Sequence, residues 1–156
     1  MTPRMSIPQV APDAFRALQA LQQAIDASSL DPRLIELVRV RASQINRCAF
    51  CLDMHTKDAR ALGETEQRLF ALQAWEDAPY YTPEERAALA LTDAVTRIDK
   101  AGVSDEIWAA AEGAFGAERL GALLVTIAAI NTWNRLATAT HAPAGNYVSR
   151  KAAATA

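Results

Sequence analysis

The chain is poor in several things at once, and each shortage excludes a class of protein. It holds only six glycines and few aromatics, 6% of its 156 residues, which disfavours a turn-rich β architecture. It has no excess of one charge: 16 basic and 18 acidic residues leave a formal net charge of −2, and they are scattered. No basic stripe offers itself to nucleic acid or to an anionic membrane surface. Long hydrophobic runs are missing too. The longest, LGALLVTIAAI from Leu120 to Ile130, is short for a bilayer span, and the N-terminal MTPRMSIPQVAPDAF lacks the apolar core of a secretory signal. A cytoplasmic, membrane-free protein is expected.

Only two cysteines are present, three residues apart. Such a pair does not make the disulfide framework of a small secreted domain; in a reducing compartment, closely spaced cysteines serve catalysis or metal binding.

What the chain has in quantity is Ala and Leu in helical spacing, with 51% hydrophobic residues. The expected fold is an all-α bundle of about seven helices in one domain, 1–156, with a core over 13–140 and a tail over 141–156 that frays at its end. Phe15, Leu18, Leu21 and Ile25 mark a first helix between Asp13 and Ala27. Asp31 as cap and Pro32 at the first position start a second, ending near Asn46 or Arg47. A third runs from Cys48 to the stop at Gly63, and a fourth from Thr65 through Trp75. Thr82-Pro83-Glu84-Glu85 has the form of a capping box and opens a fifth, to about Lys100. Gly102 and Ser104 separate it from a sixth, and Glu118 to about Thr138 makes a seventh. That last helix is apolar nearly all round, which calls for burial in the bundle or at a subunit contact.

Both cysteines fall in Gln44 to Leu62, QINRCAFCLDMHTKDARAL, as Cys48-x-x-Cys51-x-x-x-His55. On a helix these three positions share one narrow face. A thiol attacks as its thiolate, and two influences favour that form here. The helix N-terminus acts most on Cys48, while His55, one turn beyond Cys51, can take that thiol's proton. A sulfenic acid on one cysteine can condense with the other to a disulfide. Three readings stay open: a thiol redox site, a zinc site using thiolate and imidazole with His141 or a carboxylate, and two cysteines that merely pack. Leu52 after Cys51 disfavours a c-type haem, and a helix before the pair disfavours a thioredoxin-like site. Glu36 alone reads as a solvated helix charge paired with Arg39 or Arg33. His141 reads as a surface histidine and Asn131 as a bundle hydrogen bond, so neither is placed in the site. Trp75, Tyr80, Tyr81 and Trp133 suit either core or subunit contact.

Glu36 followed after eleven residues by Cys48-x-x-Cys51-x-x-x-His55, with YYTPEERAALALTDAVTRI and LVTIAAINTWNRLA further on, resembles the alkylhydroperoxidase D family of the carboxymuconolactone decarboxylase-like superfamily, over about Leu34 to Leu136. The resemblance implies an all-helical homo-oligomer, trimer or hexamer. It implies that Cys51 reduces a hydroperoxide, that Cys48 resolves the sulfenic acid, and that His55 and Glu36 form a proton relay. No metal or organic cofactor is implied; an external dithiol or lipoyl-type donor restores the thiols. One departure is Phe50, where better-known members can carry a relay histidine. The decarboxylase branch works without the redox pair, so Cys48 and Cys51 argue against that activity. The rival from another class is a non-enzymatic redox or metal sensor.

Overall fold

The computed structural model describes residues 2–151, and among them all regular secondary structure is helical. The elements are α1 (Ile7–Val10), α2 (Pro12–Asp26), α3 (Pro32–Ile45), α4 (Ala49–Ala61), α5 (Glu66–Ala71) with a 3-10 turn Leu72–Ala74, α6 (Pro83–Thr96) and α7 (Asp105–Thr140).

Helix α3 is the axis of the fold. Asp31 caps it by accepting the Arg33 N–H at 2.7 Å, and Pro32 stands where no N–H is needed. From Leu34 to Ser43 every residue is buried, because α4, α6 and α7 all pack on it. Leu34, Ile35 and Val38 join one apolar cluster with α6 and α7, Leu37 and Val40 a second with Leu72, Trp75 and Tyr81, and Ala42 a third with the two cysteines.

A helix buried on all sides that carries Glu36, Arg39 and Arg41 must find a partner for each charge, since an unpaired buried charge is prohibitively costly. Arg41 gives both ends of its guanidinium to Asp93 of α6, with Nε–Oδ1 at 2.6 Å. Arg39 bridges Glu36 at 2.6 Å and Asp26 of α2 at 2.8 Å. Glu36 is fully buried, contrary to the expectation of a solvated charge. Its pairing with Arg39 holds, but Arg33 faces Asp31 instead.

The capping box at α6 is present in both directions, with Glu85 N–H donating to Thr82 and Thr82 N–H to Glu85. That helix stops at Thr96 rather than near Lys100. Beyond it Ile98 is exposed and offers no face to bury, and the Asp99 side chain accepts the Ala101 N–H at 2.8 Å, a local turn that competes with the helix.

The expected sixth and seventh helices run as one element, α7, broken at Gly116 by φ 65 and ψ 172, a combination almost confined to glycine. The break lies between Phe115 and Glu118, where the two helices were expected to part. One window of α7 is long and apolar enough to cross a membrane by length and composition, yet Leu120, Leu123, Ile127 and Ile130 are core residues of the bundle. The short α1 was not foreseen; the segment before it is tied to the end of α7 by Arg4 N–H to Thr140 O, 2.9 Å.

Candidate active site

The corner between α3 and α4 sets the site. Arg47 adopts φ 54 and turns the chain, and Cys48, extended, becomes the N-cap of α4. Asn46 locks this corner to α7, its side-chain N–H₂ donating to Asn131 and Asn134, each at 2.9 Å. Asn134 in turn donates to Ser43 at 3.0 Å. The polar cluster is satisfied in the bundle and holds the cysteines against α7.

Cys48 replaces the usual Ser or Asp cap: its sulfur accepts the Cys51 N–H at 3.3 Å. Both cysteines are free and buried. A hydrogen bond from the Cys51 thiol lowers the Cys48 thiol to about 6, against burial, with the Cys51 N–H, Thr138 and Asn134 helping. The same bond, together with burial and the negative charge on Cys48, pushes the Cys51 thiol up. Negative charge is therefore favoured on Cys48 and the proton on Cys51, first through the hydrogen bond between the two sulfurs, with the Cys51 N–H in the first turn of α4 adding to it.

His55 Nδ1 lies 2.8 Å from Glu36 Oε2, so Nε2 is the nitrogen left for chemistry. Burial pushes the Glu36 carboxyl up, but the hydrogen bond and charge of His55, with Arg39 and Lys151, hold it at about 2. Lys151 comes from the tail: its Nζ reaches Glu36 Oε1 at 2.6 Å. The chain from Gly145 to Lys151 forms a strap over α4. Gly145 N–H donates to Asp53, Lys57 Nζ to the Tyr147 carbonyl at 2.9 Å, and Tyr147 O–H and Ser149 O–H both to Asp58. Burial and the Asp58 bond push the Tyr147 phenol up to about 12, which keeps it a donor. The tail is thus anchored as far as Lys151; the fraying expected at its end concerns 152–156, outside the described residues.

Cys51 and His55 open into a cavity of about 440 Å³. Phe15, Phe50, Met54 and Trp133 give it apolar walls, and Tyr147 and Lys151 of the strap close one side. Trp133 meets Phe15 edge-on, centroids 5.6 Å apart. Trp75 and Tyr81 are core instead, while Tyr80 is exposed.

All four residues singled out in the sequence, Glu36, Cys48, Cys51 and His55, come together in this region. Sequence reasoning missed Asn134, Thr138, Asp58, Tyr147 and Lys151, and named Arg39 only as a surface partner of Glu36. Only Asn134, a polar residue in an apolar helix, carried a signal. Asn131 is a bundle hydrogen-bonder, as expected, donating to Thr96 and to the Ile127 carbonyl. His141 is half-buried beside Cys48 rather than a plain surface residue.

A zinc site of thiolates and imidazole does not form: among the described residues the donors close enough to share an ion are Glu36, His55 and Asp58, and neither cysteine joins them. Glu36 already faces two cations, and Asp58 two hydroxyl donors, an arrangement suited to a bare carboxylate pair rather than to a further cation.

The chain is similar to several known proteins. Residues 12–94 match the carboxymuconolactone decarboxylase family. YdfG of Bacillus subtilis (strain 168) is 40% identical over 139 residues, 89% of this chain and 95% of that protein. An Agrobacterium tumefaciens protein described as a candidate antioxidant defence protein AhpD has a crystal structure that superposes with a TM-score of 0.89 at 38% identity, covering 94% of this chain and 100% of that one. The debrominase Bmp8 shares the fold, with a TM-score of 0.76 at 21% identity over 86% of this chain and 73% of its own. The chain belongs to the carboxymuconolactone decarboxylase family and, within it, to the AhpD-like proteins.

Proposed function

We propose that the protein is a thiol peroxidase that reduces organic hydroperoxides with Cys51 and resolves the product with Cys48. The observation that carries this reading is the buried pair of free thiols at the start of α4, with Cys51 lining an apolar cavity beside the His55–Glu36 pair.

Transfer of the Cys51 proton to His55 Nε2 or to Cys48 places the thiolate where the cavity is. That thiolate attacks the terminal oxygen of the hydroperoxide, the O–O bond breaks, and the departing alkoxide takes up the proton to leave as an alcohol. Cys51 is left as a sulfenic acid. The Cys48 thiolate then attacks the Cys51 sulfur, the S–O bond breaks, hydroxide takes a proton from solvent and leaves as water, and a disulfide remains. Glu36 holds Nδ1 and so fixes which nitrogen serves the sulfur. An external dithiol or lipoyl-type donor returns two electrons. No metal or organic cofactor enters, and the cycle suits a reducing cytoplasm.

The cavity favours a neutral, bulky substrate. Its cations, Arg39 and Lys151, are both paired with carboxylates, so an anionic lactone acid would find none free among the described residues. With cumene hydroperoxide and a dithiol, turnover should exceed that with hydrogen peroxide, and Cys51→Ser should lower it by about 100-fold or more. An unchanged rate in Cys51→Ser would remove the nucleophile assignment.

A further inference from the structure

Each cysteine of the pair lines its own cavity. Cys51 lines the substrate cavity, and Cys48 lines a separate hollow of about 400 Å³ with Arg47, Thr138, His141 and Ala144. Phe50 and Ala137 line both and form the wall between them. Phe50, the position where the chain departs from its better-known relatives, is thus a partition.

The two cavities differ in charge. The substrate cavity includes Asp26 and Asp58, and Glu36 lies buried behind it, with its two cations already paired. The Cys48 hollow contains no carboxylate; it has the exposed Arg47 guanidinium at its rim and the first turn of α4 at its floor. A neutral hydroperoxide suits the first. An anionic thiolate suits the second.

We propose that the Cys48 hollow is the docking site for the thiolate of the external dithiol, so that oxidant and reductant reach the disulfide through different cavities and meet different sulfurs. This rests on the disulfide cycle proposed above. The incoming thiolate attacks the Cys48 sulfur and the Cys48–Cys51 bond breaks. Cys51 leaves as a thiolate and takes a proton from the solvent or His55. The donor's second thiol, losing its proton, then attacks the donor sulfur joined to Cys48, which frees the Cys48 thiolate and releases the donor as its own disulfide. The donor is oxidised by two electrons and the protein disulfide is reduced by two.

The local chemistry supports the second exchange. The Cys51 N–H, Asn134 and Thr138 stabilise negative charge on the Cys48 sulfur, which leaves as a thiolate when the donor's second thiol attacks. The opposing burden on Cys51 comes first from its bond to a Cys48 thiolate, which does not exist while Cys48 is joined to the donor.

The test separates the two half-reactions. The protein is oxidised with diamide, so that the disulfide forms whether or not hydroperoxides are substrates, and its reduction by dithiothreitol is followed by quenching and mass spectrometry. Ala144→Trp and Arg47→Glu change the rim of the Cys48 hollow at exposed positions, and Gln19→Trp changes the rim of the substrate cavity. We expect the first two to lower the ratio of the dithiothreitol reduction rate to the cumene hydroperoxide oxidation rate by tenfold or more, and Gln19→Trp to raise it. If Gln19→Trp slows reduction while Ala144→Trp and Arg47→Glu do not, the reductant uses the Cys51 cavity and the proposal fails. Absence of oxidation by cumene hydroperoxide in the unaltered protein would instead remove the peroxidase reading; the diamide arm still reads which cavity admits the dithiol.

Discussion

At the scale of single residues, the site turns on where one negative charge sits. A cysteine N-cap receives the backbone donor that a serine or aspartate would receive, and it converts a stability device into a thiolate holder. Because its folded value of about 6 lies below the ordinary 9.0 of a free thiol, the Cys48 thiolate contributes stability that is full above pH 9 and is lost as pH falls through 6. Thiolate absorbance at 240 nm should therefore rise in one step near pH 6. Cys48→Ser should abolish that step. Cys51→Ser should retain it, since a serine hydroxyl can donate to the Cys48 sulfur as the thiol does. The reverse pattern would put the resting charge on Cys51.

At the scale of elements, the strap from Gly145 to Lys151 is what the helical pattern concealed. It lies outside the segment that matches the family, yet it supplies a cation to the most buried carboxylate of the site and a wall to its cavity. Lys151→Met removes that cation. Glu36 is held at about 2 against an ordinary 4.5, so its ionised form stabilises the fold fully above 4.5, and that contribution is lost as pH falls towards 2. Urea unfolding should show Lys151→Met destabilised by about 1–2 kcal/mol at pH 7, with the difference shrinking by pH 2.5. Equal destabilisation at both pH values would mean that Lys151 acts through packing alone.

At the scale of the whole molecule, α7 has more apolar surface than one chain covers. Trp108 and Val125, on either side of the break at Gly116, are 41% and 43% exposed. We infer that copies of the chain associate through the segment after the break, which carries Val125, in line with the trimer or hexamer implied by the family resemblance. Light scattering should give a multiple of the 16.9 kDa chain mass, and Val125→Glu should lower it; a monomer in the unaltered protein would overturn the inference.

By itself the sequence determined the helical class, most helix starts and three of the residues that meet at the site, Cys48, Cys51 and His55, while Glu36 entered only through the family resemblance. Those features are written in local chemistry: caps and prolines at Asp31-Pro32 and Thr82-Pro83, apolar spacing at helical period, and a cysteine pair with a histidine on one face. It also placed a division between Phe115 and Glu118, where the structure breaks α7 at Gly116. Only the tertiary structure decided the rest. Burial of α3 on every side converted Glu36 from a surface charge into the anchor of His55, and the strap brought Lys151 across 115 residues to meet it. The Cys51 thiol and N–H, and to a smaller extent Thr138 and Asn134 from a helix far along the chain, lower the Cys48 thiol. Such influences depend on desolvation and on contacts between distant segments, and no local pattern records either.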